Sequence, residues 1–282
     1  MKCAWDAFIH LLPVRFREEI NKLGKNTLQE VRLRLGLPPE LVMNKNTKML
    51  TSSVTQEDLK QCIQYASHYS PWSSNSIGHG YITGPGGHRI GIFGRFISNN
   101  NGRYSLQSPS MLCLRVARDF DGLVSDISSF TGSVLIIGAP GTGKTTLLRD
   151  LVRKFDRFGI GNISVVDERE EIFPRYQDML CFFPGNHTDV LSGCNKATGI
   201  EWALRNMTPS LIVTDEITAQ EDSESLLHAA WCGVRLIATA HAGSKDDLYS
   251  RPVYHSLLQH NLFQTLLVMH SDKSWHAERL DI

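Results

Sequence analysis

Val134-Leu-Ile-Ile137-Gly138-Ala139-Pro140-Gly141-Thr142-Gly143-Lys144-Thr145-Thr146-Leu147-Leu148 decides the fold. Four apolar residues, three of them β-branched, read as a short buried strand. Beyond the loop, Leu147, Leu148, Leu151, Val152, Phe155 and Phe158 mark one face of a helix. Between them lies G-x-x-x-x-G-K-T, a pattern short enough to arise by chance but specific when it joins a strand to a helix. Its glycines let backbone N–H groups turn inward around phosphate oxygens, and the helix presents its positive end to the same anion. Lys144 supplies a point charge for the β- and γ-phosphates, and the Thr145 hydroxyl is suited to Mg²⁺. Residues Gly138 to Thr146 are therefore expected to bind ATP with Mg²⁺ as cofactor.

Outward from this loop, strands are expected at Ile163–Val166, Leu211–Thr214, Val234–Thr239 and Thr265–Met269, with helices at Gly199–Met207 and Glu221–Trp231. Continuous apolar strands alternating with helices imply a mostly parallel sheet covered on both faces. Upstream the texture changes. A helix fits Arg15–Leu23, an alternating strand fits Glu30–Leu35, and Thr55-Gln-Glu-Asp58 reads as a capping box opening a helix through Ala66. Residues 80–94 read as a hairpin around Gly84-Pro-Gly-Gly87, and Leu112–Val116 as a further strand. The expectation is an α/β protein: a smaller α+β domain over residues 1–125 and a P-loop ATPase domain over residues 126–282.

Two strands of the second half end in acidic pairs. Leu211-Ile-Val-Thr-Asp215-Glu216 offers Asp215 to the metal and Glu216 to orient or deprotonate water. Ile163-Ser-Val-Val-Asp167-Glu168 ends similarly. In an open parallel sheet ligands bind outside the carboxyl ends of the strands, so both pairs point toward the phosphates. Glu168 is thus a second catalytic candidate, with a solvated strand-end turn as the alternative. The strand Val234–Ala240 ends at His241, a candidate for sensing the γ-phosphate or else a structural donor.

Lys plus Arg and Asp plus Glu are 29 each, so the formal net charge is zero, which weighs against a nucleic-acid partner. The six cysteines are scattered with no C-x-x-C pair, the N-terminus lacks a secretion signal, and no apolar run reaches the roughly 18 residues that span a bilayer. A cytoplasmic protein is expected, with any membrane contact made through partners.

With the three strand ends in this order, the chain resembles the secretion-type ATPases of the type II and type IV systems. These carry a P-loop, an acidic box, a Walker B strand and a histidine box, matched here by Gly138–Thr145, Asp167–Glu171, Leu211–Glu216 and Ala238–Ala242. Within that superfamily it is similar, over nearly its whole length, to the stage III sporulation protein AA family. Glu30-Val-Arg-Leu-Arg-Leu-Gly-Leu-Pro, Pro85-Gly-Gly-His-Arg-Ile-Gly, Val165-Val-Asp-Glu-Arg-Glu-Glu-Ile and Thr188-Asp-Val-Leu-Ser-Gly-Cys carry this likeness. Thr218 and Asn195 depart from the family pattern, which favours glycine and proline there. The resemblance implies a RecA-like ATPase domain and a hexameric ring with ATP at subunit interfaces. It also implies a place at the cytoplasmic face of a mother-cell-to-forespore channel with membrane-embedded components. It further implies arginines from the N-terminal domain; of Arg89, Arg95, Arg115 and Arg118, the last two are the candidates for touching nucleotide. Two other readings stay open: a nucleic-acid-dependent ATPase, for which Arg251 and His255 have a suggestive spacing, and a nucleotide-dependent scaffold with little turnover.

Overall fold

The computed structural model describes residues 1–44, 46–67, 80–98 and 104–280, which form two compact units. The first comprises Met1–Asp119 together with Pro174–Cys181, and the second Phe120–Phe173 with Phe182–Ile282.

In the first unit, helices α1 (Trp5–Leu11) and α2 (Val14–Asn21) are followed by β1 (Leu28–Arg34), β2 (Glu40–Met43), β3 (Thr47–Met49), α3 (Gln56–Ser67), β4 (Tyr81–Thr83), β5 (Arg89–Ser98) and β6 (Tyr104–Arg115). The strands form one antiparallel sheet ordered β3-β2-β1-β6-β5-β4. Alternation sets its two faces: Val31 and Leu33 of β1 are buried with Leu41, Ile90, Leu112 and Leu114, while Glu30, Arg32 and Arg34 form ion pairs with one another and Glu40. The expected capping box opens α3, with Asp58 N donating to Thr55 Oγ1 and Thr55 N to Asp58 Oδ2. The sequence reading missed α1, β2, β3 and the first half of β6. Pro13 divides α1 from α2, and the exposed, polar start of β6 acquires its strand character only by pairing with β5 from Ser98↔Tyr104 to Arg89↔Arg115.

Where the hairpin turn passes the N-terminus, His88 is fully buried. Its Nδ1 accepts from Ala117 N at 3.0 Å, so Nε2 carries the proton and donates to Ala4 O at 2.8 Å. Burial pushes the imidazole from 6.5 down to about 4. The folded unit then binds fewer protons than the unfolded chain between these values, so the stability that neutral His88 contributes is lost as pH falls through that window. At pH 5 the expected loss relative to pH 7 is about 2 kcal/mol. Urea denaturation at the two pH values checks this, and His88→Gln should remove the difference while being less stable at both.

The second unit runs β7 (Val134–Ile137), α4 (Lys144–Phe158) and β8 (Ile163–Asp167). A detour follows, β9 (Arg175–Tyr176) and β10 (Met179–Leu180), which belongs to the first unit. Then come β11 (Thr188–Ser192), α5 (Lys196–Asn206), β12 (Leu211–Thr214), α6 (Gln220–Trp231), β13 (Arg235–Ala240), α7 (Lys245–Ser250), α8 (Pro252–Gln259), β14 (Thr265–Met269) and β15 (Trp275–Arg279). The sheet order is β11-β8-β12-β13-β7-β14-β15, parallel except for β15. Every residue of β7, β8, β12 and β14 is buried, which is why these strands read as continuous apolar runs. Residues 120–125, read above with the first domain, belong to this unit: Gly122 N and Val124 N both donate to the Asp150 carboxylate on α4. The α/β class with a mostly parallel sheet is as the sequence predicts.

Candidate functional site

The strand order places three chemistries side by side. Strand β13 lies between β7 and β12, in register Ile137↔Ala240 and Thr214↔Ala238. The loop after β7, the histidine after β13 and the acids after β12 therefore meet at the carboxyl ends of three neighbouring strands. The loop needs its glycines for two reasons. Gly141 (φ 79°) and Gly143 (φ 103°) take left-handed backbone. At Gly138 a Cβ would come within 2.8 Å of both Met269 Cβ and Thr142 Oγ1, so β14 closes the loop from the other side.

Lys144 begins α4 and is 7% exposed. Its Nζ donates to the carbonyls of Gly138 (2.8 Å) and Ala139 (3.1 Å) and to His241 Nδ1 (3.0 Å). An ammonium only donates, so His241 Nδ1 must accept and Nε2 carries the hydrogen, which it gives to Glu216 Oε1. The lysine thus sets the histidine tautomer, and a continuous chain Lys144–His241–Glu216 results. Burial pushes the Lys144 ammonium below its ordinary value, while Asp215 and Glu216 pull it back up.

Thr145 Oγ1 donates to Asp215 Oδ2 at 2.9 Å, bringing together the two predicted Mg²⁺ ligands. Asp215 Oδ1 accepts from Thr239 Oγ1 and from Glu216 N. Glu216 N also reaches Thr239 Oγ1 at 2.8 Å, and Glu216 itself takes φ 41°. A left-handed glutamate at the end of a strand is strained backbone of the kind that concentrates at functional sites. A hydroxyl and one carboxylate suit Mg²⁺, which keeps several waters and takes further oxygens from substrate phosphates. Consistent with that, no group of three His, Cys, Asp or Glu among the described residues is placed to hold a metal by itself.

The second acidic pair divides its work. Asp167 is buried, and its carboxylate accepts from Glu171 N (2.8 Å), Ile172 N (3.0 Å) and Phe173 N (2.8 Å), folding the chain that follows β8. Burial raises its carboxyl to about 6, against the pull of those N–H groups and with added repulsion from Asp215. Both acids line the cleft shared with Arg169, Glu171, Lys196, Asp215 and Glu216, but the Glu168 carboxylate meets a side chain there and not the backbone. It accepts from Lys196 Nζ at 2.9 Å. Sequence reasoning missed four participants: Thr239, Lys196, Asp222 and Arg169, whose guanidinium lies 3.7 Å from Glu216 Oε2. Thr239 and Arg169 were legible in principle, as the residue two before His241 and the residue after Glu168. Lys196 and Asp222 carry no such signal.

The two candidate arginines lie in the first unit. Arg115 is 65% exposed at its side chain and pairs with Glu30 at 3.2 Å. Arg118 donates to the carbonyls of Lys25 (2.9 Å) and Leu28, and burial lowers its pKa. Arg251 pairs with Asp247, and His255 bonds the carbonyl of Tyr249, so both serve local helix contacts. No helix among the described residues is long and apolar enough to cross a membrane.

Known proteins fit this picture. The chain is 35% identical to the stage III sporulation protein AA of Bacillus subtilis, over 91% of its own length and 88% of that protein. It is 28% identical to the protein SEEDLING PLASTID DEVELOPMENT 1 of Arabidopsis thaliana, over 90% of this chain but only 36% of the plant protein. Among solved structures, the ATPase DotB of Legionella pneumophila superposes with a TM-score of 0.55 at 18% identity, covering 95% of this chain and 80% of that one. The pilus retraction motor PilT with bound ADP also gives 0.55, at 16% identity, covering 89% and 76%. These two likenesses show that the chain shares the fold of those proteins. Residues 6–277 match the family described as sporulation stage III, protein AA, and the chain belongs to that family.

Proposed function

We propose that this chain binds Mg-ATP at Gly138–Thr146 and hydrolyses it as a secretion-type ATPase. The observation that carries the reading is the linked set Lys144, Thr145, Asp215, Glu216 and His241, joined by hydrogen bonds at the ends of three adjacent parallel strands. Backbone N–H groups of the loop and the start of α4 hold the phosphates, with Lys144 on the β- and γ-oxygens. Thr145 and Asp215 would hold Mg²⁺, which neutralises charge shared between those phosphates. Glu216 accepts the proton of the attacking water, and ADP and inorganic phosphate leave. With four lone-pair positions, its carboxylate can keep the His241 contact while it takes that proton.

Family membership supports a role in sporulation. We place the ATPase at the cytoplasmic face of a mother-cell-to-forespore channel, working as a hexameric ring docked on membrane-embedded partners. Within such a ring, Arg115 is the better arginine to reach the nucleotide, since Arg118 already serves carbonyls of its own unit. The test is ATP turnover together with mass in solution, with and without Mg-ATP. Turnover that needs Mg²⁺ and rises with assembly supports the proposal, and a chain that binds ATP without turnover reduces it to a scaffold. Stimulation by single-stranded DNA would redirect it to nucleic acid. Arg115→Ala should assemble and keep its circular dichroism while losing at least about tenfold in turnover.

A further inference from the structure

Lys196 breaks two local rules. It is a lysine 6% exposed, and it occupies the first turn of α5, where the helix dipole disfavours a cation. Two carboxylates explain its position. Glu168, at the end of β8, accepts from Nζ at 2.9 Å, and Asp222, in the first turn of α6, lies 3.6 Å away. A third feature brings the lysine there. Gly199 sits inside α5, and a Cβ on it would meet Val166 Cγ1 at 2.5 Å and Cys194 Sγ at 3.2 Å. The missing side chain lets α5 lie directly on β8, which carries Lys196 to Glu168.

Asp222 links this ammonium to the reacting end of the sheet. Its Oδ2, the atom nearest Lys196, also accepts from Thr218 N (2.9 Å), Ala219 N (3.1 Å) and Thr218 Oγ1 (3.3 Å). Those residues form the turn after Glu216, whose left-handed backbone must be held from both sides. Thr239 holds it on one side, through Glu216 N and through its own carbonyl, which accepts from Ile217 N. Asp222 holds it on the other.

We infer that Lys196 is a positioning residue: it clamps the end of β8 to the start of α6 and, through Asp222, fixes the turn that presents Glu216. The kinetic part rests on the hydrolysis proposed above, whereas the clamp itself is a property of the fold. Lys196 acts on turnover without touching phosphate. A 1 Å displacement of a catalytic group costs about 10²-fold in rate, so a loosened turn lowers kcat while leaving nucleotide affinity in place.

The decisive variant is Lys196→Met with Glu168→Gln, because it removes the clamp together with the charge that Lys196 hydrogen-bonds, while Asp222 keeps its bonds from Thr218 and Ala219. Melting temperature, kcat, KM for Mg-ATP and amide hydrogen exchange at Thr218 and Ala219 are measured beside the wild type, Lys196→Met and Glu168→Gln, the last showing what the loss of Glu168 alone does to kcat. The double variant is expected to recover part of the melting temperature that Lys196→Met loses, since Asp222 still lacks its cation. It should still exchange at Thr218 and Ala219 at least about tenfold faster than wild type, and lose about 10²-fold in kcat with KM within about threefold. Wild-type exchange and kcat in the double variant would overturn the inference, leaving Lys196 as a counter-charge for Glu168. A large rise in KM with unchanged exchange would also overturn it, by making Lys196 a phosphate ligand. Should the wild type show no turnover at all, the hydrolysis proposal fails by itself and the exchange measurement still decides the clamp.

Discussion

Lys144→Ala is expected to lower ATP turnover by about three orders of magnitude or more and to weaken nucleotide binding measurably. Four losses combine. The β- and γ-phosphates lose their point charge. Asp215 and Glu216 lose the buried cation that offsets them, so the site repels a triphosphate. His241 Nδ1 loses its donor, and with it the constraint that keeps the hydrogen on Nε2 facing Glu216. Truncation of the side chain at Cβ also leaves the carbonyls of Gly138 and Ala139 without their side-chain donor, which loosens the loop. Hydrolysis and fluorescent-nucleotide binding on the purified variant measure both effects. Turnover like that of the wild type would mean the loop is not the site.

Glu216→Gln is expected to bind Mg-ATP and turn it over about 10²–10⁴-fold more slowly. The amide keeps the shape, and its carbonyl oxygen still accepts from His241 Nε2, so the network stays assembled while the proton acceptor is gone. The competing assignment puts the base at Glu168. The two glutamates differ in their partners: Glu168 is tied to a buried lysine, whereas Glu216 meets a histidine and, at 3.7 Å, the exposed Arg169. Parallel hydrolysis rates for Glu216→Gln and Glu168→Gln decide between them, and a slower Glu168→Gln reverses the assignment.

The parallel sheet and the phosphate loop were legible because their signals are local. Val134–Ile137 and Leu211–Val213 are buried and wholly apolar, so nothing in them confuses the reading. Asp215, Glu216 and His241 were found because strand ends announce themselves by a change from apolar to polar. Asp167 looked like part of the same chemistry, yet its carboxylate folds the loop after β8; a string of residues does not distinguish a carboxylate that meets substrate from one that caps backbone N–H groups. Lys196 and Asp222 were invisible because their meaning is a meeting of three segments, β8, α5 and α6, distant in sequence. The first half of β6 was missed for a related reason: Tyr104, Ser105 and Gln107 are exposed, and only the partner strand makes them a strand.

Strand β13 also acts as a shim of fixed thickness. Neighbouring strands lie about 4.8 Å apart, so the axes of β7 and β12 are held about 10 Å from each other. That gap is what Thr145 and Asp215 bridge with their side chains, with Thr239 set between them. Side chains alternate along the shim, so Thr239 and His241 face one way while Ala238 and Ala240 face the other. A one-residue change of length upstream in β13 would exchange these sets and put methyl groups where a hydroxyl and an imidazole now stand. The length of the strand is therefore as much a part of the site as the residues that face it.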